Sequence, residues 1–344
     1  MPSLKTPRSS RFAFWSVLAM LVMISAPVAI TLSTVRTSAY LPLAQLLLQN
    51  PSPHGYSVSL LIFIVPVVFI AFWFLPNDRI HISKRSFWIT IVALFVFGAG
   101  LDFFFAHRFF YFPNPNAVIG IPAPALGSPV PIEEYVFYLT GFLTILLLYL
   151  WLDGYWLHAY SIPTDDTRRI SIDRLLRFHP DSLVLAVVLV TAAIAYKHFS
   201  PEATPGFPGY FTFLVICSLS PSVALFPSVN AMINWRAFSL TLFLIVLVSV
   251  LWEATLALPY GWWGYQPSAM IGINIRAWHD LPIEAVLVWL GITYATVIIY
   301  EAVRTWQASG KSARHAFLGS KAAAHSTTSH GSSPAIPPAI PRRK

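Results

Sequence analysis

The chain has 344 residues, of which 56% are hydrophobic and only 10% are charged. Soluble domains usually carry about 25% charged residues, so this composition excludes an ordinary soluble globular protein. The net charge of +8 does not indicate nucleic-acid binding, because 18 of the 22 Lys and Arg residues fall in segments that a single topology places in the cytoplasm. The single cysteine, Cys217, excludes a disulfide framework.

Eight apolar runs are long enough to cross a bilayer as helices. The runs are residues 12–32, 56–75, 86–105 and 131–152, followed by 182–197, 209–226, 236–257 and 282–303. The sequence therefore predicts an all-α, polytopic helical membrane protein with about eight transmembrane helices.

The segments outside these runs define the predicted topology. Residues 1–11 are a cytoplasmic N-terminus, 153–181 a basic cytoplasmic linker, and 304–344 a disordered basic cytoplasmic tail. The run at 12–32 is either an uncleaved first helix or the core of a signal peptide, and its length favours the helix. An amphipathic piece at 41–48 is predicted to lie along the membrane interface. Both termini are then cytoplasmic, and the predicted location is the inner (cytoplasmic) membrane of the cell.

The two groups of four runs form a tandem repeat. A shift of 151 residues places Pro131-Ile132-Glu133 on Pro282-Ile283-Glu284 and aligns the preceding runs without a gap. The predicted repeats are residues 12–152 and 182–303. Because each half has an even number of helices, both insert in the same orientation. The expected arrangement is two parallel four-helix repeats related by a pseudo-twofold axis along the membrane normal.

Acidic residues stand at matching ends of the repeated runs. Asp102 precedes Glu133 by the same separation in sequence as Glu253 precedes Glu284. In the predicted topology these four acids have a similar depth, toward the non-cytoplasmic face. Acids within membrane segments usually mark function, so we expect the four to surround one cavity. Glu134 is a fifth candidate catalytic residue.

Ordinary helix chemistry offers an alternative for Glu133 and Glu284. Proline at a helix start costs no hydrogen bond, and a carboxylate behind it meets the favourable end of the helix dipole. For Glu134 this alternative is stronger, because Ala285 stands at the corresponding position of the second half. The residues seven positions after Glu133 and Glu284 are small, which favours close packing of that face and acids that point into the bundle.

Aromatic residues flank the acids in both halves. An interfacial aromatic belt explains most of them, whereas rings that face a cavity stabilise a carbocation. The candidate substrate-binding residues are Phe104, Tyr111, Trp252, Trp263 and Tyr265.

No cofactor or metal site is predicted. His107 and His279 have no diagnostic ligand spacing. Gly98-Ala99-Gly100 lies inside a helical run without a third glycine, so it does not indicate dinucleotide binding.

The motifs resemble those of the small integral-membrane carotenoid cyclases. These lycopene β-cyclases occur as paired bacterial subunits, as archaeal fusions and as one domain of a bifunctional fungal protein. The similar stretches are Pro131-Ile132-Glu133-Glu134 in the first half and Trp262-Trp263-Gly264-Tyr265, Ile271-Gly272, Leu281-Pro282-Ile283-Glu284 and Tyr294 through Tyr300-Glu301 in the second.

The resemblance implies an isomerase or intramolecular lyase without a cofactor. Such an enzyme converts the linear ends of lycopene or a related carotenoid to ionone-type rings by an acid-initiated, redox-neutral cyclisation. The implied partners are a hydrophobic carotenoid that enters from the bilayer, membrane lipid and other enzymes of carotenoid biosynthesis. Glu133 and Glu284 would act as acid or base, with Asp102, Glu253 and Glu134 in support. The chain departs from the family at Ala285, where a second glutamate is usual.

Two other functions remain open. A proton- or cation-coupled transporter would use the same acids between parallel repeats, although the acids gather near one face and no helix has a clear midpoint break. A non-catalytic cyclase paralogue, as a partner or scaffold, would explain Ala285. Conversion of lycopene distinguishes both from the cyclase.

Overall fold

The computed structural model describes residues 42–161, 174–278 and 280–319. A short helix, α1 (Leu43–Gln49), precedes seven helices that are long and apolar enough to cross a membrane. They are α2 (Gly55–Asn77), α3 (Lys84–Phe109), α4 (Ile132–Gly154), α5 (Pro180–Phe199), α6 (Gly209–Met232), α7 (Trp235–Ala257) and α8 (Glu284–Ser309). A last short helix, α9, covers Ala313–Leu318.

The prediction of an all-α, multi-pass membrane protein is confirmed, and the predicted runs agree with α2 to α8 to within six residues at each end. The predicted first membrane helix, residues 12–32, lies outside the described residues. The count of eight helices and the arrangement in two parallel repeats therefore stay predictions.

The C-terminal region differs from the predicted disordered tail that begins at residue 304. Helix α8 continues to Ser309, and α9 follows it. The indole Nε1 of Trp306 donates a hydrogen bond to the carbonyl of Lys311 (3.0 Å), and the Trp306 ring contacts the Phe317 ring at a centroid distance of 5.8 Å. These contacts hold the segment after residue 304 in a defined structure, although its polar composition predicted a disordered tail.

Helices α4 and α8 form the centre of the bundle. Helix α4 packs against α2, α3, α7 and α8, whereas α8 packs against α6, α7, α3 and α4. These neighbours correspond one to one under the shift that relates the two halves of the sequence. Helix α5 packs on α6 at the periphery.

Two helices begin with the same capping interaction at equivalent positions. The Ser83 hydroxyl accepts a hydrogen bond from the backbone N–H of Ser86 (3.4 Å), and the Asn234 side chain accepts one from Ala237 (3.2 Å). Such caps satisfy N–H groups that the first turn of a helix leaves free. Helices α3 and α7 therefore begin at positions that the repeat makes equivalent, Lys84 and Trp235.

Two long connections, 110–131 and 258–283, lie together on one side of the bundle, which we call the loop face. They contain β1 (Phe110–Tyr111), β2 (Pro122–Ala123), β3 (Val130–Pro131), β4 (Gly264–Tyr265), β5 (Asn274–Ile275) and β6 (Leu281–Pro282). The antiparallel pairs are β1–β4, β2–β3 and β5–β6. The β1–β4 pair joins the two connections directly. Gly264 permits this contact, because a Cβ there would lie 2.3 Å from the Tyr111 ring.

A pair of glycine substitutions tests the packing around the two central helices. In Gly291→Ala the new Cβ would lie 2.0 Å from Ser218 Oγ and 3.2 Å from Ser218 Cβ, where α6 meets α8. We expect a loss of about 1–2 kcal/mol in stability from this overpacking. Thermal unfolding in detergent, followed by tryptophan fluorescence, measures the change.

Gly141→Ala is the matched control, because no atom lies within 4 Å of its Cβ and both variants remove a glycine from a central helix. Alanine there should raise stability by up to about 0.5–1 kcal/mol. Equal unfolding temperatures for the two variants would contradict the described α6–α8 contact.

Candidate functional site

All five acids selected from the sequence are buried. Asp102, Glu133, Glu134, Glu253 and Glu284 each expose 7% or less of their surface. Within the described ranges three salt bridges are found, and none involves these acids. Since buried polar groups in folded proteins are almost always hydrogen-bonded, the donors around each acid indicate its role.

Glu133 and Glu284 hold the loop face onto the helices that follow it. The backbone N–H of Ile119 donates to Glu133 Oε1 (2.7 Å), and the backbone N–H of Ile271 donates to Glu284 Oε1 (2.6 Å). The Ser57 hydroxyl also donates to Glu133. These two acids therefore have a clear structural task at the start of α4 and α8.

Asp102 and Glu253 each accept a hydrogen bond from an aromatic side chain on the next membrane helix of the same half. The Tyr138 hydroxyl donates to Asp102 Oδ1 (3.3 Å), and Trp289 Nε1 donates to Glu253 Oε1 (2.9 Å). Tyr138 and Trp289 themselves stand at equivalent positions of the two halves. Each half thus places one acid beside one aromatic donor.

Glu253 stands where α7 widens into a π-helical turn, Glu253–Ala257. Such turns are frequent at functional sites. Glu253 has a second donor in the Tyr265 hydroxyl from β4. Burial, and next the Glu253 carboxyl, raise the pKa of Tyr265 well above its ordinary value, so this hydroxyl keeps its proton at neutral pH.

Glu134 makes the first half different from the second. The Tyr56 hydroxyl donates to Glu134 Oε1 (2.7 Å), and Glu134 lies close enough to Asp102 for direct electrostatic interaction. Asp102 Oδ2 is buried and has no hydrogen-bond partner among the described residues. The second half has Ala285 in place of Glu134, so the acid pair occurs only once.

Tyr210, near the start of α6, is buried, and its ring contacts that of Tyr265, the donor to Glu253, at a centroid distance of 6.3 Å. It interacts electrostatically with Asp102, Glu134, Glu253 and Glu284. Tyr210 is therefore within electrostatic range of acids from both halves.

Four aromatic rings, one from each of α2, α4, α7 and α8, pack together beside the acids. The ring of Phe63 lies 5.3 Å from that of Trp252 and 5.5 Å from that of Trp289. The ring of Phe137 lies 5.6 Å from Trp252 and 5.5 Å from Trp289. Because Trp289 also donates to Glu253, this aromatic cluster and the acids form one continuous region.

The predicted substrate-binding residues divide into three groups. Trp252 and Trp263 are buried and in ring contact at 4.8 Å. Tyr265 binds Glu253, and Tyr111 is half-exposed and lies over Gly264. Phe104 is 55% exposed on the outer surface of the bundle, where it would meet lipid.

Four residues of this region were not selected from the sequence: Tyr56, Tyr138, Tyr210 and Trp289. The repeat contained a signal for two of them, since Tyr138 and Trp289 are equivalent aromatic residues five positions after Glu133 and Glu284. Tyr56 aligns with Phe207, which is also aromatic but lacks the hydroxyl, so the repeat contained a weaker signal for Tyr56. Tyr210 aligns with Ser59, and the repeat contained no signal for it.

A small cavity lies between α4 and α8, beside this region. Its volume is about 10 Å³, and it is lined by Phe137, Tyr138, Gly141, Phe142, Trp289 and Ile292. Such a volume holds about one water molecule. In the described part of the chain no group of three or more His, Cys, Asp and Glu side chains is arranged to hold a metal ion.

The arrangement is suited to proton transfer onto an apolar group. It combines carboxyl groups, tyrosine hydroxyls and ring faces within apolar surroundings. Comparison of the chain with known protein families, with curated proteins and with solved structures gives no match.

Proposed function

We propose that the chain is a membrane-embedded carotenoid cyclase, which forms ionone-type rings from the linear ends of lycopene or a related carotenoid. The proposal includes eight membrane helices in two parallel four-helix repeats. It also includes a location in the inner membrane with both termini in the cytoplasm, and contact with other enzymes of carotenoid biosynthesis.

One observation supports the proposal most directly: Asp102 and Glu134 are both buried, lie within electrostatic range of each other, and have no salt-bridge partner among the described residues. Each acid is held by a tyrosine hydroxyl, from Tyr138 and Tyr56 respectively. Two carboxyl groups that interact in apolar surroundings can divide the roles of acid and base, one protonated and the other charged. An acid-initiated, redox-neutral isomerisation needs both roles.

In the proposed reaction one carboxyl of the pair protonates the terminal double bond of the substrate. The resulting carbocation closes on a neighbouring double bond, and a carboxylate then removes a proton to restore neutrality. The faces of Phe137, Trp252 and Trp289 stabilise the positive charge during this sequence. No electron leaves the substrate, so the steps require no oxidant.

Glu133 and Glu284 have a supporting role in this proposal. Their hydrogen bonds from Ile119 and Ile271 fix the loop face against α4 and α8. A Gln at either position would keep an oxygen that accepts the same backbone N–H. The acid–base chemistry is therefore assigned to Asp102 and Glu134 of the first half. In the second half, Glu253 is the acid equivalent to Asp102.

Substrate entry requires side chains to move. The cavity beside Tyr138 and Trp289 holds about 10 Å³, far less than a carotenoid end group.

Pigment analysis in cells that accumulate lycopene tests the function. The wild-type chain should produce monocyclic or bicyclic carotenoids. Asp102→Asn and Glu134→Gln should each reduce ring formation by about 100-fold or more, the range that general acid–base groups usually contribute. Glu133→Gln should reduce it much less.

Asp181→Asn is the control, because this acid is exposed at the start of α5, and its ring formation should equal that of the wild type. Unchanged lycopene in cells with well-expressed wild-type protein would contradict the proposal. Cation-dependent uptake in vesicles without lycopene conversion would indicate a transporter instead.

A second prediction concerns the room that Gly98 provides for Tyr138. A Cβ at Gly98 would lie 2.7 Å from the Tyr138 ring, one turn before Asp102 on α3. Gly98→Ala should displace the Tyr138 hydroxyl from Asp102 and reduce ring formation by about tenfold, because small misplacements of reacting groups have large effects on rate.

Gly100→Ala is the matched control on the same helix, since no atom lies within 4 Å of its Cβ. It should form rings at the wild-type rate. Full activity of both variants at equal expression would contradict the proposed role of Tyr138.

A further inference from the structure

A second, larger pocket opens on the loop face, outside the site assigned to the chemistry. Its volume is about 250 Å³. Exposed polar side chains form its outer part, among them Glu202, Thr204, Asn274 and Asp280. A pocket of this size holds several water molecules, and its polar rim is open to the aqueous phase.

Hydrogen bonds from a buried lysine hold one wall of the pocket. The ammonium group of Lys197, which is only 5% exposed, donates hydrogen bonds to the carbonyls of Pro267 (3.1 Å), Ser268 (2.8 Å) and Met270. Pro267 and Met270 line the pocket. Lys197 thus attaches this loop, which forms part of the pocket lining, to the end of α5.

Tyr265 is the residue shared by the pocket and the buried acids. It lines the pocket, and its hydroxyl donates to Glu253. Glu253 is 3% exposed and therefore has little direct contact with water. The Tyr265 side chain therefore connects the pocket with a carboxyl group within the bundle.

We propose that this pocket is a water-filled chamber from which Glu253 exchanges its proton with the aqueous phase, with Tyr265 as the relay. Only the purpose of this proton exchange rests on the proposed function: it restores the protonation of the acids between turnovers. The ligand of the pocket is water or hydronium ion.

The step is balanced in atoms and charge. A hydronium ion in the pocket gives a proton to the Tyr265 oxygen while the phenolic proton passes to the Glu253 carboxylate. The products are one water molecule, a neutral tyrosine and a protonated Glu253. Reversal of the step returns the proton to the pocket.

The charged and titratable groups around this path leave it unobstructed. Glu253 faces Tyr265 from β4, Tyr210 from α6 and the indole of Trp289 from α8. At the rim, Glu202 pairs with Arg276 (2.7 Å), and Asp280 lies exposed beside them. Asp280 at the rim favours the entry of a positively charged hydronium ion, whereas the charge of Glu202 is balanced by Arg276 and the Lys197 ammonium is bound by three loop carbonyls.

Thiol labelling tests whether water fills the pocket. In a Cys217→Ser background, Thr204→Cys places a thiol at the rim of the pocket. Leu258→Cys places one at a buried position of the pocket lining. A membrane-impermeant methanethiosulfonate should modify both in the full-length protein in vesicles. Ile292→Cys, in the small cavity between α4 and α8, is the control and should stay unmodified. A Leu258→Cys thiol as unreactive as the control would overturn the water-filled chamber.

Infrared spectroscopy tests the relay without any substrate. The band of the protonated Glu253 carboxyl is identified by its loss in Glu253→Gln, and its shift is followed after transfer to D₂O. Tyr265→Phe should slow this exchange by about tenfold or more. Thr204→Val, in the same pocket but not bound to Glu253, should exchange at the wild-type rate.

An unchanged exchange rate in folded Tyr265→Phe would overturn the relay. The relay would also be overturned if, at every accessible pH, the wild type showed no carboxyl band that is lost in Glu253→Gln. Because neither measurement uses a carotenoid, a chain that forms no rings but shows slowed exchange in Tyr265→Phe would refute the proposed function and retain the relay.

Discussion

Hydrogen-bond donors for buried carboxyl groups are the constraint on which this structure depends. A bundle of apolar helices provides no water for an acid, so every carboxyl group must find a donor within the chain. The backbone N–H groups of Ile119 and Ile271 serve this purpose for the two glutamates that open α4 and α8. For this reason both long connections fold back onto the helices they precede, and the loop face covers the acid cluster.

The same constraint explains why the two halves differ in their chemical capacity. Asp102 and Glu253 have equivalent positions and equivalent aromatic donors, but only Asp102 has a second acid beside it. Tyr56 accompanies Glu134, and the second half lacks both. Glu253 instead accepts a hydrogen bond from Tyr265, which lines the open pocket. One half therefore holds the acid pair, whereas the other has the connection to water.

Much of the fold followed from the sequence, because the apolar runs and the repeated Pro-Ile-Glu motif are local patterns. The burial of the five acids also agreed with the small residues on their helix faces. The roles of Glu133 and Glu134 could not be predicted, since they depend on where the preceding connection brings the backbone of Ile119. Because Ala285 stands at the corresponding position of the second half, Glu134 was the weaker candidate in the sequence. The same difference gives the first half a second acid near Asp102, whereas Glu253 has none at the equivalent position. Tyr210 reaches the acids only through the packing of α6, which no pattern within one run records.

Deuterium incorporation is the most direct test of the central claim that buried acids initiate a redox-neutral cyclisation. The protein is supplied with lycopene in D₂O, and the products are analysed by mass spectrometry. Each ring formed should carry one deuterium, because one proton from an exchangeable acid is added and one substrate proton is removed. A cyclic product without deuterium, a product heavier by the mass of water, or recovered lycopene alone would contradict it.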